Sequence, residues 1–579
     1  MISKVLKNIK KFRLLLAVLA IGTYAFLSYS FTDNYFEISK NLDIYSTTLK
    51  ELDLYYVDSI NPGEMVKTSI DAMLASLDPY TDYIPESEIE DFRFMTTGEY
   101  GGIGAIVQRD SNGIEIAEPY LGSPAAKAGL NAGDKLVSID GISTTGKNTD
   151  DVGKLLKGQA GTTVKLMVLS PNATTPVEKI ITREVIKVGN VPYYGMVADN
   201  IGYIRLSEFT ERAGDNVRNA LIELKKEHKL KGIILDLRNN PGGLLNEAVK
   251  MVNIFEPKGQ LVVNTRGRSR EWNHPDNTGG DPIDTTIRIA VVVNSGSASA
   301  SEIVTGTIQD LDRGVVIGTR TYGKGLVQQT HPLSYNSQLK FTIAKYYTPS
   351  GRCIQALDYS HRSADGTVNK VPDSLKSAFR TKHGRVVYDG GGIAPDIAID
   401  PLKISPATIN LETQFLIFNY ATQFRLSHNS IAQADSFSLS DDEYAKFVDF
   451  VKAHNFKYTT KTDQLLKQLK EATENEKYDA DLKTSYDKID KDMAEARKND
   501  MIKYKPEIKR VLEEEIASRY YYEKGRIQSG LKDDRDIKKS IEILNNTAVY
   551  DSVLTTIAVP KRPFYNGAMK SWPPASQGK

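Results

Sequence analysis

Apolar residues come in two rhythms along this chain, and the alternation between them outlines the elements. Ile201-Gly202-Tyr203-Ile204-Arg205-Leu206 reads as a strand, Val217 to Lys229 has helical spacing, and Gly232-Ile233-Ile234-Leu235-Asp236-Leu237-Arg238 is again a short, nearly continuous apolar run. Ile289 to Val293 is another such run. A turn of small residues follows, Asn294-Ser295-Gly296-Ser297-Ala298-Ser299-Ala300-Ser301, and then a helical pattern on Ile303, Val304, Ile308 and Leu311. Val315-Val316-Ile317 makes a further strand, and Leu339 to Tyr347 another before the turn Thr348-Pro349-Ser350-Gly351-Arg352. Strand, helix and strand in alternation predict an α/β core. Two amphipathic helices are expected upstream, over Phe36–Tyr56 and Pro62–Leu77, the second closing at Asp78-Pro79. Ser440 to about Thr556 carries helical apolar spacing among many Lys, Glu and Asp, and predicts a helical domain. The chain is proline-rich from Ala558 on, which predicts an extended tail.

A strand, a small-residue turn and a helix are how a chain presents a nucleophile. The turn exposes a hydroxyl, and the helix N-terminus brings free N–H groups and a positive dipole end to a developing oxyanion. Periodicity alone does not choose among Ser297, Ser299 and Ser301, and Ser301 could serve instead as a helix cap ahead of Glu302. Downstream, Lys324 stands in a glycine-rich turn. Lys324 and Gln328 are four apart and share a face on a strand or a helix, whereas Gln329 would point away on a strand.

Gly296-Ser297-Ala298-Ser299-Ala300-Ser301-Glu302-Ile303, with Thr321-Tyr322-Gly323-Lys324-Gly325-Leu326-Val327-Gln328, resembles the carboxyl-terminal processing peptidases, or tail-specific proteases. These are serine proteases with a Ser-Lys dyad and a PDZ domain. The resemblance implies Ser299 as nucleophile, Lys324 as general base and Gln328 as the residue that orients the lysine. It implies that Asp236-Leu237-Arg238-Asn239-Asn240-Pro241-Gly242-Gly243 is the oxyanion loop. Gly242 or Gly243 would supply one donor and Ala300 the other. Met73 to Tyr80 and Gly391 to Ile397 resemble the family's segments before the PDZ module and at the close of the core, so the likeness runs in order from about residue 34 to 400. The implied fold is multidomain α/β: a PDZ domain joined to a crotonase-like protease core, with helical segments at either end. A lysine base has a physical requirement. Its reference pKa is about 10.4, and burial in apolar surroundings must bring it near neutrality; Tyr322, Leu326 and Val327 are compatible neighbours.

The segment 98–186 reads as a peptide-binding module. Tyr100-Gly101-Gly102-Ile103-Gly104-Ala105-Ile106-Val107 is a glycine-rich turn entering a strand, without the third glycine of a nucleotide loop. Gly122 to Leu130 followed by Gly133 to Gly141 resembles a PDZ domain. Backbone N–H groups in the turn of Gly102, Ile103, Gly104 and Ala105 can hold a terminal carboxylate, and the strand beyond can pair with an extended peptide. Val152, Leu155 and Leu156 are candidates for an apolar wall beside it, with plain core packing as the alternative.

At 579 residues the chain is long enough for several domains. The expected divisions are 1–31 export signal or membrane anchor, 34–97 helical segment, 98–186 PDZ domain, 187–400 protease core, 401–557 helical domain and 558–579 tail. Five basic residues before an apolar run from Leu14 to Phe31 give the export pattern. Cleavage after Ser28-Tyr29-Ser30 and retention as an anchor stay equally open, so the expected location is periplasmic or on the inner membrane facing the periplasm. Lys plus Arg is 74 and Asp plus Glu 73, a net charge of +1 that gives no support for a nucleic-acid partner. The single cysteine, Cys353, permits no intrachain disulfide and no cysteine metal cluster, and no HExxH is present, so no metal or cofactor is expected. Gly318 to Lys324 fits the start of a phosphate loop, but Gly325 stands where its Ser or Thr belongs. A Ser-His-Asp site would need one of seven histidines, and His331, nearest in sequence, reads as a turn or surface residue. The charges of the helical domain are most simply a solvated face; docking of an adaptor or a second copy of the chain is the alternative. The expected activity is endopeptidase cleavage of unfolded or C-terminal segments of exported proteins, and the rival reading is a PDZ scaffold that binds tails without cutting them.

Overall fold

A computed structural model of the chain describes residues 35–363 and 365–556. The expected export segment over 1–31 and tail over 558–579 lie outside the described residues. The chain forms two compact units, Met1–Tyr83 and Ile84–Lys579. In the first, helices run over 35–55 and Pro62–Ala75, the latter capped by the Asn61 side chain. The expected helical segment 34–97 is divided between the units, because the helix Ile89–Thr97 belongs to the second.

The core of the second unit is a six-stranded sheet. Its path starts with β1 (Tyr193–Ala198), β2 (Ile201–Arg205) and β3 (Gly232–Asp236). Helix α1 (Ala213–Glu227) joins β2 to β3, and α2 (Leu245–Asn253) follows β3. Strand β4 (Leu261–Gly267) belongs to a second sheet. Then come β5 (Arg288–Val293), helix α3 (Ala300–Asp310), β6 (Val315–Gly318), β7 (Leu326–Pro332), β8 (Gln338–Tyr347) and β9 (Ile397–Ala398). The core order is β1-β2-β3-β5-β6-β9, antiparallel at β1–β2 and parallel from β2 to β9. In the second sheet β8 pairs with β7 on one side and β4 on the other.

Both faces of the core sheet are covered, which is why its strands read as unbroken apolar runs rather than alternating ones. Ile204, Ile233, Leu235, Ile289, Val291 and Val293 pack with α1, α2 and α3. Their neighbours Tyr203, Ile234, Ala290, Val292, Val315 and Ile317 face the other way. That second face is roofed from the far end of the chain, by the end of α4 (Lys505–Leu531), α5 (Arg535–Asn545) and α6 (Thr547–Thr555), through Ile527, Ile537, Ile543, Leu544, Tyr550 and Leu554. The boundary expected at residue 400 therefore separates the sheet from half of its cover. Helix α4 bends at Tyr522 (φ 56°, ψ −157°). Before the bend, Ile508, Leu512 and Ile516 pack with Tyr420, Phe424 and Phe447 in a separate helical core; after it, Ile527 joins the sheet.

Residues 105–182 form a five-strand antiparallel path that begins with Ala105–Asp110 and continues through Gly113–Pro119, Lys135–Ile139, Thr163–Leu169 and Val177–Thr182. The helix Thr149–Leu156 packs on it, started by Asn148, whose side chain accepts from the Asp151 N–H at 2.8 Å.

Candidate active site

The small-residue turn bridges β5 and α3, and its geometry singles out one serine. Ser299 is the N-cap of α3 and has φ 54° and ψ −114°, a strained conformation for a residue with a Cβ. Ser297 and Ser301 are fully buried and engaged: their hydroxyls donate to the carbonyls of Leu237 and Asn240, at 2.8 and 2.9 Å. Ser301 is thus not the helix cap that its place before Glu302 suggests. The spacing Ser-x-x-Glu belongs to Ser299 and Glu302, because the Glu302 carboxylate accepts from the Ser299 N–H at 3.0 Å.

Glu302 does more than begin the helix. Its Oε1 accepts from the Thr321 hydroxyl and the Gly323 N–H at 2.5 and 2.7 Å, and its Oε2 from the Lys324 N–H at 2.9 Å. One buried carboxylate therefore holds the backbone of Ser299 and of Lys324 together. Burial pushes its pKa up to about 7, against the pull of these four donors. The Tyr346 hydroxyl adds a second tie, donating to the carbonyls of Ser299 at 3.1 Å and Lys324 at 2.6 Å. Neither Glu302 nor Tyr346 was legible as a site residue, although the Ser-x-x-Glu spacing was a usable signal for the first.

The Lys324 side chain is half-buried between β6 and β7. Of its expected apolar neighbours Leu326 is buried, Val327 half-buried, and Tyr322 half exposed at 50%. The strand argument linking Lys324 to Gln328 does not carry over: Lys324 precedes β7, and a bulge at Val327/Gln328 interrupts the alternation. Gln328 is placed by β8, with its Nε2 donating to Thr342 Oγ1 at 3.1 Å. Beside it opens a cavity of about 210 Å³ lined by Leu245, Trp272, His274, Val327, Ile343 and Ala344, among others.

The loop after β3 closes the other side of the turn. Gly242 (φ 100°) lies so close that a Cβ there would stand 2.7 Å from Ser299 Cβ and 2.8 Å from the Ala300 nitrogen. Its N–H donates to Asn240 Oδ1 at 2.9 Å. Gly243 (φ 141°) instead abuts Phe209, with 2.4 Å from a Cβ to that carbonyl oxygen. Asn240 also receives the Ala298 N–H on its carbonyl at 3.0 Å, so the loop and the serine turn are tied to each other. The N–H groups of Ser301, Glu302 and Ile303 go to Ala298 O, Ser299 O and Ser299 O, while among the described residues no partner is recorded for that of Ala300. Gly318 to Lys324 leads into β7 and not into a helix, which leaves no phosphate loop. His331 sits exposed on β7 rather than in a turn, edge-on to Phe341. Cys353 is half-buried, and burial pushes its thiol up.

The family model for peptidase family S41 matches residues 200–360, which hold all of these groups. A carboxy-terminal-processing protease of Bartonella bacilliformis is 38% identical over 330 residues, 56% of this chain and 75% of that protein. The chain belongs to the carboxy-terminal-processing serine proteases. A probable CtpA-like serine protease of Staphylococcus haemolyticus is 38% identical over 307 residues, 53% of this chain and 61% of that protein. Among solved structures, a photosystem II D1 C-terminal processing protease matches at 27% identity over 61% of this chain and 86% of its own, with a TM-score of 0.33, too loose a superposition to carry an argument.

A PDZ domain model matches 115–169, and the model for the C-terminal helical domain of probable PDZ-proteases matches 407–544, so this processing protease combines all three parts. In its PDZ domain the turn Gly102-Ile103-Gly104-Ala105 leads into the edge strand Ala105–Asp110. Gly104 has φ 75°, and a Cβ there would stand 2.5 Å from Ser123 Cβ. Ile103, Val152 and Leu156 are buried in the domain core, at 2%, 0% and 5% exposure. Leu155 alone of the three wall candidates is only partly buried against that core. Among the described residues no cluster of side chains is arranged to hold a metal ion.

Proposed function

We propose that this protease captures unfolded or C-terminal segments of exported proteins through its PDZ domain and cuts them with a Ser299–Lys324 dyad. The observation that carries the reading is the Glu302 carboxylate, which binds the backbone of both residues at once. In this mechanism Ser299 Oγ attacks the scissile carbonyl. Lys324 Nζ takes the serine proton and returns it to the leaving amine, and water then releases the acyl group. With its Nε2 given to Thr342, Gln328 has Oε1 left to accept from the lysine amine. Ala300 N–H is one oxyanion donor. Of the glycine pair, Gly242 has committed its N–H to Asn240, which favours Gly243 as the other. Each donor contributes about 3 kcal/mol to the transition state. The cavity beside Gln328 has apolar walls suited to a side chain next to the cut bond.

On the PDZ side, the turn at Ile103 and Gly104 would hold the terminal carboxylate. The edge strand Ala105–Asp110 would pair with the tail beside Leu155. Residues 1–31 would direct the protein across the inner membrane, as a cleaved signal or a retained anchor. An adaptor or a second copy of the chain would use the charged helical surface.

The test is cleavage of an unfolded protein with an apolar C-terminus, in chelator, by the native protein, Ser299→Ala and Lys324→Ala. Cleavage by the native protein alone is the expected result. Cleavage surviving in Ser299→Ala would defeat the assignment, and tail binding without cleavage by all three would leave a scaffold.

A further inference from the structure

The strand that leads into the glycine loop ends on a charged pair completed from the other end of the chain. Asp236 closes β3 and is fully buried. Arg238, two residues on, donates to it through Nε at 3.0 Å and Nη2 at 2.6 Å. The guanidinium then reaches two further carboxylates: Asp534 Oδ2 at 2.7 Å from Nη2 and Asp536 Oδ2 at 3.0 Å from Nη1. Asp534 is the N-cap of α5 and accepts from the N–H groups of Asp536 and Ile537 at 2.9 and 3.1 Å. The side chains of Arg238, Asp534 and Asp536 are 17%, 17% and 22% exposed, so the cluster is poorly screened by solvent.

Three carboxylates facing one guanidinium exceed what charge balance needs, and their placement fixes the guanidinium plane in three directions. Burial works to raise the Asp236 carboxyl, and the positive charges of Arg238 and Arg205, with the Arg238 hydrogen bonds, override this and hold it below the usual range. Immediately after Arg238, Asn239 takes φ 58° and is locked by a reciprocal pair with Asn294: Asn239 N–H to Asn294 Oδ1 at 2.9 Å, and Asn294 Nδ2 to Asn239 Oδ1 at 2.8 Å. Asn240 then sets the Gly242 amide. A rotation at Arg238 would pass into both bonds.

We propose that Asp534 and Asp536 are positioning residues for catalysis: from the helical C-terminal segment they hold Arg238, and through it the glycine loop, in the geometry that receives the oxyanion. The proposal rests on the Ser299 reading, and a role in orienting donors predicts an effect on turnover rather than on substrate capture. Asparagine keeps the cap and the shape of either residue while removing its charge.

The experiment compares native protein, Ser299→Ala and the double variant Asp534→Asn/Asp536→Asn in cleavage kinetics, thermal unfolding and amide exchange. The double variant is expected to lose at least tenfold in kcat with KM within twofold. Exchange should rise across 239–244 and stay unchanged in β5, with Tm within a few degrees of native. Native kcat and unchanged exchange in 239–244 would overturn the proposal. So would a loss of rate that only tracks a lowered Tm. Cleavage by Ser299→Ala would instead fault the catalytic reading, and exchange in 239–244 would still report on the clamp.

Discussion

Glu302 is asked to be an anion in a place that resists anions. Burial raises its pKa to about 7, so near neutrality it changes between a carboxylate serving four donors and an acid that must turn one oxygen into a donor itself. Its folded-state pKa lies above the unfolded one. Its contribution to stability is therefore full below about 4.5, and is lost as pH rises through about 7, while the alignment of Ser299 with Lys324 is best above 7. The kcat–pH profile is expected to rise through pH 7, with the ionisation of Glu302 adding to that of the lysine base. Glu302→Gln should lower kcat by about a hundredfold at pH 8, which stopped-flow or peptide assays would read. Gly242 sets the second condition at this scale. Gly242→Ala puts a Cβ 2.7 Å from Ser299 Cβ at a φ of 100°, and is expected to cost at least a hundredfold in kcat and about 1–3 kcal/mol in stability, read by urea unfolding. These residues also mark what a sequence exposes and conceals. Ser299, Lys324 and Gln328 stand in recognisable phrases. Glu302 stood only as the residue after a possible Ser301 cap; three of its four bonds are made to a turn beyond β6, and spacing carries no information about that meeting.

The helix behind the serine departs from the amphipathic rule. Every residue of α3 from Ala300 to Asp310 is buried, although Ser301, Glu302, Thr305, Thr307, Gln309 and Asp310 are polar. Each is satisfied internally: Thr307 by Val262 O and Ile303 O, Gln309 by Ala394 O, and Asp310 by Arg352 in an ion pair of 2.7 Å. Ile303, Val304 and Ile308 gave the helix away, and nothing in their period said that the opposite face would be dry. Removing Arg352 would strand Asp310; Arg352→Ala is expected to lower stability by about 3–5 kcal/mol in chemical denaturation. The bulge at Val327/Gln328 shows the same limit on the strand side, since a two-residue rhythm cannot announce the position at which it skips.

Across the whole molecule, the C-terminal segment belongs to several parts at once. Arg526 on α4 pairs with Glu118 of the PDZ domain at 2.8 Å, α5 reaches Arg238, and Tyr550 of α6 accepts from the Ile289 N–H at 3.0 Å. The α/β core and the helical C-terminal region were each legible from their own periods. Their interleaving was not, because a buried strand face reads alike whichever stretch of chain covers it. Leu544 is fully buried against the sheet at Gly232, where a Cβ would stand 3.2 Å from its methyls. Leu544→Ala is expected to destabilise the protease core by about 2–5 kcal/mol, and the loss should appear in the same unfolding transition that reports on β3 and β5.

The roof over β3, β5 and β6 also sets an order of events in the life of the chain. A ribosome delivers residues 187–400 well before Ile527 to Leu554. Until those last helices arrive, Tyr203, Ile234, Val292 and Ile317 face water and Arg238 lacks two of its three carboxylates. A copy halted before them would hold these strands without the helices that cover them.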